Sequence, residues 1–166
     1  MNLIKKMMTC CVVLLTLGAF TSVENPQYVG TWKLNVGKSD LGEFGEMIAD
    51  RSIVVEKQGN QFILSRTRPS FQGGETTSKE SLDFEGKATE STVWETAKKK
   101  SVFKWSDDKK SFSVSYTMDI TMNGNSMTSK GTEAWKLSED GKTLTLDHTA
   151  SSDQWDFELK AVYEKQ

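Results

Sequence analysis

Two arginines stand two positions apart in the stretch "QFILSRTRPS", and residues two apart in an extended chain share a face. If that face also carries Phe62 and Leu64, then Arg66 and Arg68 lie at the polar end of an apolar strip, where guanidiniums can grip a carboxylate through paired N–H donors. If Ile63, Ser65 and Thr67 face inward instead, both arginines are solvated. His148 is the only histidine; it shares a strand face with Leu144 and Leu146, while Asp147 projects to the opposite face and makes no His–Asp pair with it. A single imidazole with no second histidine or cysteine is a poor ligand set for a metal, so no metal site and no cofactor is expected. Haem held by His148 is the one exception to test, and the absence of a Soret band would end it. No nucleophile elbow, glycine-rich phosphate loop, H-E-x-x-H or paired-carboxylate motif occurs in a recognisable context, so no enzymatic activity is expected. Five tryptophans and eight phenylalanines remain as apolar material. Trp94, Trp105, Trp135 and Trp155 among them can line a cavity or simply fill a core.

The elements that must position these side chains begin after an N-terminal leader. Lys5 and Lys6 precede an uncharged, mostly apolar stretch from Met7 to Phe20, too short to cross a bilayer as a helix, which reads as a secretory signal peptide over residues 1–22. The expected product is exported, periplasmic or secreted, with no stable membrane span in the mature chain. Cys10 and Cys11 both fall inside the leader, which removes disulfides and thiol chemistry from residues 23–166. Lipid anchoring on either cysteine is the lesser expectation, because most of the apolar stretch follows them. Without Lys5 and Lys6 the 21 basic residues become 19 against 23 acidic ones, a net charge of −4, which argues against nucleic acid as a partner.

Past residue 50, apolar residues recur at period two. Phe112, Val114, Tyr116, Met118 and Ile120 alternate with polar neighbours, and Trp155, Phe157, Leu159, Ala161 and Tyr163 with mostly polar ones. Gly59-Asn60, Gly73-Gly74, Glu85-Gly86, Asp107-Asp108, Asn123-Gly124 and Asp140-Gly141 punctuate the runs as tight turns. The pattern predicts about ten strands, at 29–36, 51–58, 61–68, 76–85, 89–97, 100–106, 110–121, 126–137, 142–150 and 155–164. The lysine runs Lys98-Lys99-Lys100 and Lys109-Lys110 fall at expected turns and read as solvated tips. Leu41, Phe44, Met47 and Ile48 at helical spacing behind Ser39-Asp40 predict a short helix within 39–50. One all-β domain follows: an antiparallel up-and-down barrel of about eight to ten strands, with a short helix after the first strand, closed so that no strand edge is left bare.

The run "GTWKLNVGKSDLG" from Gly30 resembles the G-x-W start of lipocalins and related calycin barrels, in particular bacterial exported lipocalin-like domain proteins. "EAWKLSEDGKTLTL" from Glu133 resembles a strand–turn–strand near the end of such barrels. The resemblance implies that Gly30 admits a close backbone approach and that Trp32 plugs the narrow closed end while donating its indole N–H. The T-D-Y-like turn and the late arginine of typical lipocalins are not evident, so Lys160 or Lys165 takes the place over Trp32. The strand count with a helix after the first also resembles fatty-acid-binding proteins and ten-stranded nitrobindin-like barrels. Two functions are implied: a carrier of a small hydrophobic or amphipathic anionic ligand, or an interaction module whose barrel is filled by its own side chains. For the carrier, Arg66 and Arg68 form the polar end, and Phe62, Leu64, Trp105, Phe112, Val114, Tyr116, Trp135 and Phe157 form the walls.

Overall fold

The computed structural model describes residues 26–166 except 44, 71–72, 94–96 and 123. The leader and its cysteines, Phe44 of the expected helix, Trp94 and Asn123 of the expected turn lie outside the described residues. Ten strands form one antiparallel sheet: β1 (Gly30–Leu34), β2 (Ser52–Gln58), β3 (Gln61–Pro69), β4 (Glu75–Asp83), β5 (Thr89–Thr92), β6 (Lys98–Trp105), β7 (Ser111–Met122), β8 (Asn125–Leu137), β9 (Thr143–Ser151) and β10 (Asp156–Lys165). Each strand pairs with its sequence neighbour from β1 to β4 and from β5 to β10, and β10 returns to pair with β1, giving the order β4-β3-β2-β1-β10-β9-β8-β7-β6-β5. The two ends of the sheet, β4 and β5, pack side by side without a ladder, and the Thr89 hydroxyl donates to the carbonyl of Ser81 across the seam. The result is a nearly closed barrel, as the alternation in the sequence requires.

Alternation places residues of β7 such as Phe112, Val114 and Tyr116 inside and Ser115, Thr117 and Asp119 outside. The outer surface of β6 to β10 carries Lys104, Lys130, Lys136, Glu158 and Lys160, all exposed. That face suits water, since a barrel in lipid turns an apolar band outward. Among the described residues no helix is long and apolar enough to cross a membrane.

Three elements differ from the sequence reading. The helix between β1 and β2 is only α1 (Gly45–Ile48), preceded by a 3-10 turn at Val36–Lys38. Gly42, at φ 60°, breaks the helical path, and Asp40 instead bridges to Lys160 of β10. Strand β5 ends at Thr92, short of 97. Strand β6 begins at Lys98, so Lys99 is not a loop tip: it is in phase with Ser101 and Phe103, faces inward and is 6% exposed.

Candidate functional site

The barrel interior divides into three layers. At one end lies an aromatic floor. Trp32 is fully buried, and its indole nitrogen donates to the carbonyl of Tyr28 at 2.8 Å. Gly30 has φ 137°, and a β-carbon there would come within 3.0 Å of Lys165 Cε. The close approach lets the Lys165 ammonium lie 5.1 Å from the Trp32 ring centroid, so Lys165, of the two expected lysines, covers the plug. Tyr28, Phe62, Phe84, Phe103, Trp105 and Phe112 pack ring to ring with centroids between 4.6 and 6.3 Å, and Phe112 stacks on Trp135 at 5.2 Å. Burial raises the Tyr28 hydroxyl pKa to about 12.

Above the floor lies a layer of charges. The Arg66 side chain, 4% exposed, reaches Asp50 through Nη1 at 3.1 Å and Glu133 through Nη2 at 2.5 Å, with Glu80 at 3.5 Å from Nε. Lys99 lies between Glu80 and Glu133 at 3.0 and 3.1 Å. Arg68 binds Asp50 at 2.8 Å. Ser101 donates to Glu80, and the Trp135 indole N–H donates to Glu133 at 3.0 Å. The Arg66 guanidinium also lies 5.0 Å from the Trp135 ring centroid, so the layer rests directly on the floor. Burial by itself pushes the Glu133 carboxyl up, but Arg66 and Lys99 outweigh it and hold the group well below the carboxylate range. Burial likewise works against the Arg66 charge, yet Glu133, Glu80 and Asp50 raise its pKa further. An ion assembly this dry survives only because each member has partners; removing one leaves buried charge uncompensated.

The third layer faces the other end. Tyr116 donates to or accepts from His148 Nε2 at 2.7 Å, and the Lys99 ammonium lies 4.4 Å from the Tyr116 ring. Burial lowers the His148 pKa to about 4, so the ring is neutral at neutral pH and serves as a hydrogen-bonding partner. Met118, Ile120, Ala97 and Ala150 pack around this pair, with half-buried Met127, Trp155 and Phe157 at the rim. Trp155 stacks on Phe157 with centroids 5.6 Å apart. Gly131, opposite Tyr116 in the ladder, has no room for a side chain: a β-carbon would meet the Tyr116 ring at 2.4 Å and the Thr149 carbonyl at 2.7 Å.

Accessibility differs among the inward residues: Tyr116, Met118, Ile120, Ser129 and Ala150 are buried, and Phe84 and Trp105 of the floor are half-buried. On the floor Trp32, Phe62, Phe112 and Trp135 have almost no accessible surface, whereas Arg68, Thr76, Ser78, Ser91, His148 and Phe157 keep part of theirs although all lie on the inward face. A separate shallow trough of about 770 Å³ crosses the outside of β6 to β10 between the ladders Lys100–Thr117–Lys130 and Val102–Ser115–Thr132.

The ten expected site residues all lie on the inward face, Phe62, Leu64, Arg66 and Arg68 together as the first of the two alternatives required. They do not share one wall. Phe62, Trp105, Phe112 and Trp135 belong to the floor, with Leu64 and Val114 in the same cluster; Arg66 and Arg68 belong to the charge layer; Tyr116 and Phe157 belong to the open half. The carboxylates at the guanidiniums are the chain's own. Asp50, Glu80, Lys99 and Glu133 were not anticipated. Their signal was a charge in phase with the apolar face: Glu133 two before Trp135, Glu80 two before Leu82. Among the described residues no group of three or more His, Cys, Asp or Glu could hold a metal ion.

Sheet order and near-closure define a ten-stranded antiparallel β-barrel with a layered interior. Two solved structures share this fold: apo lipid binding protein 8 of Caenorhabditis elegans, with 13% identity, a TM-score of 0.54 and coverage of 87% of this chain and 99% of that one, and zebrafish ileal bile acid-binding protein in complex with cholic acid, with 16% identity, a TM-score of 0.50 and coverage of 84% and 99%. No protein-family model matches the chain, and no curated protein matches it in sequence.

Proposed function

We propose that the chain is an exported, non-enzymatic carrier that holds a small, largely apolar molecule in the open half of its barrel. The ligand would lie between the charge layer and the rim of Met127, Trp155 and Phe157. One observation carries this reading: along the β4–β5 seam and around β9 and β10, the inward side chains of Arg68, Thr76, Ser78, Ser91, His148 and Phe157 keep accessible surface. A barrel that served only as a filled scaffold would gain stability by packing both ends alike. The similar structures include a lipid-binding and a bile-acid-binding protein, which supports a hydrophobic cargo for this fold. Of the ten sequence-derived residues, Arg68, Tyr116 and Phe157 would touch the ligand, and the others would form the base beneath it. Export rests on the basic residues Lys5 and Lys6 and the apolar stretch that follows.

Titrating the purified protein with Nile red, palmitate and hexadecanol while following tryptophan emission tests the reading. Trp155 at the rim should report saturable binding of at least one of them. No saturable binding of any would overturn the carrier reading in favour of an interaction module with a filled barrel. Mass spectrometry of the mature N-terminus tests export, and an intact Met1 would refute it.

A further inference from the structure

Building on the carrier reading, we infer that the ligand is uncharged and carries a hydroxyl or carbonyl group, as a fatty alcohol or a monoacylglycerol does, and that this group is bound by hydroxyls on β4 and β5 rather than by the buried arginines. The charge layer is closed. Arg66, Arg68 and Lys99 supply three cations, and Asp50, Glu80 and Glu133 supply three carboxylates, every one of them within an ion pair. A ligand carboxylate arriving from the open half would have to displace a carboxylate already held at about 3 Å, and would meet the remaining ones as like charges in a weakly screened interior. His148 adds no cation, since burial keeps it neutral at neutral pH.

The wall across from Phe157 offers a different chemistry. Ser78 pairs with Arg66 in the ladder, Thr76 with Arg68, and Ser91 with the buried Lys99, so all three side chains face inward. Each is partly accessible, and none has a hydrogen-bond partner for its hydroxyl among the described residues. They stand where β4 and β5 adjoin without a ladder. Ser129, on the same row of the sheet as Ser91, Lys99 and Met118, also faces inward but is fully buried, so it is not part of the accessible wall. Met118, Ile120 and Phe157, clustered in the same half of the barrel, suit a hydrocarbon body.

The test compares palmitate with hexadecanol, two probes of equal chain length differing in the head group, by displacement of Nile red from the full protein at neutral pH. Hexadecanol should bind at least about tenfold more tightly. Ser78→Ala with Ser91→Ala should weaken hexadecanol about fivefold and leave Nile red unchanged. Glu133→Gln opens the layer by one positive charge and should raise the affinity for palmitate relative to hexadecanol. Palmitate binding as tightly as hexadecanol in the unaltered protein would overturn the inference while leaving the carrier reading in place. If neither probe nor Nile red binds, the carrier reading falls and this inference with it. The comparison in the unaltered protein decides the matter even if the Glu133 variant does not fold.

Discussion

The floor and the open half of this barrel are built from the same alternating strands, yet they do opposite things with their inward faces. At the floor, Trp32, Phe62, Phe112 and Trp135 interlock with almost no accessible surface. In the other half Thr76, Ser78, Ser91, Gly131 and His148 keep part of theirs, while Met118, Ile120 and Ser129 are buried. Between them the ion layer acts as a partition, because its members cannot move into either half without losing partners. Accessible inward surface is thus concentrated along the β4–β5 seam and around His148 and Phe157, where the proposed ligand would lie.

The largest expected effects test whether floor and partition are each indispensable. Trp32→Ala should cost about 3–5 kcal/mol in urea unfolding through the cavity it leaves, without altering ligand preference. Glu133→Ala should cost a similar amount, about 3–5 kcal/mol, because Arg66 and Lys99 would stay buried with one partner fewer. A cost below about 1 kcal/mol for Glu133→Ala would mean that water reaches the layer and the partition is not dry.

Acid should unfasten the open half first. His148 in the unfolded chain takes up a proton near pH 6.5, whereas in the fold it does so only near pH 4. Between those values the unfolded state binds more protons, so stability falls as pH drops from 6.5 to 4, by up to about 3 kcal/mol, and this residue contributes no further loss below. Glu133, whose pKa is depressed in the fold, adds its loss only below its ordinary value of 4.5. Denaturation curves of His148→Gln should be flatter across the upper window and unchanged in the lower. An identical pH profile would show that the imidazole is already solvated in the fold.

A smaller effect, about 1–3 kcal/mol, is expected for Gly131→Ala, where the added methyl must displace the Tyr116 ring or the backbone at Thr149. The displacement should also disturb the Tyr116–His148 hydrogen bond and so shift the midpoint of the histidine titration followed by NMR. Smallest of all, Ser78→Ala should change stability by less than about 0.5 kcal/mol, since its hydroxyl has no partner to lose. A larger loss would place Ser78 in the structural framework and remove it from the ligand wall.

The sequence by itself determined the number of strands, their alternating faces and the tight turns, because a period of two and turn-forming pairs are local properties of the chain. The resemblance of its G-x-W start implied Trp32 at the closed end with Lys160 or Lys165 over it, and the structure decided for Lys165. Boundaries were less legible where local preference was weak: Gly42 and Gly45 left a helix of four residues in place of a longer one. Only the tertiary structure decided what the arginines do. Alternation could put Arg66 on the inward face, but whether that guanidinium met a ligand or the chain's own carboxylates depended on Asp50, Glu80 and Glu133. Asp50 and Glu80, 16 and 14 positions away, stand on or beside the strands paired to β3, whereas Glu133, 67 positions away, reaches Arg66 only because the barrel closes. Lys99 shows the same limit, for within a lysine run its phase was ambiguous until pairing with β7 set Met118 opposite it. Charge pairing across a closed sheet is non-local, and no periodicity along one strand encodes it.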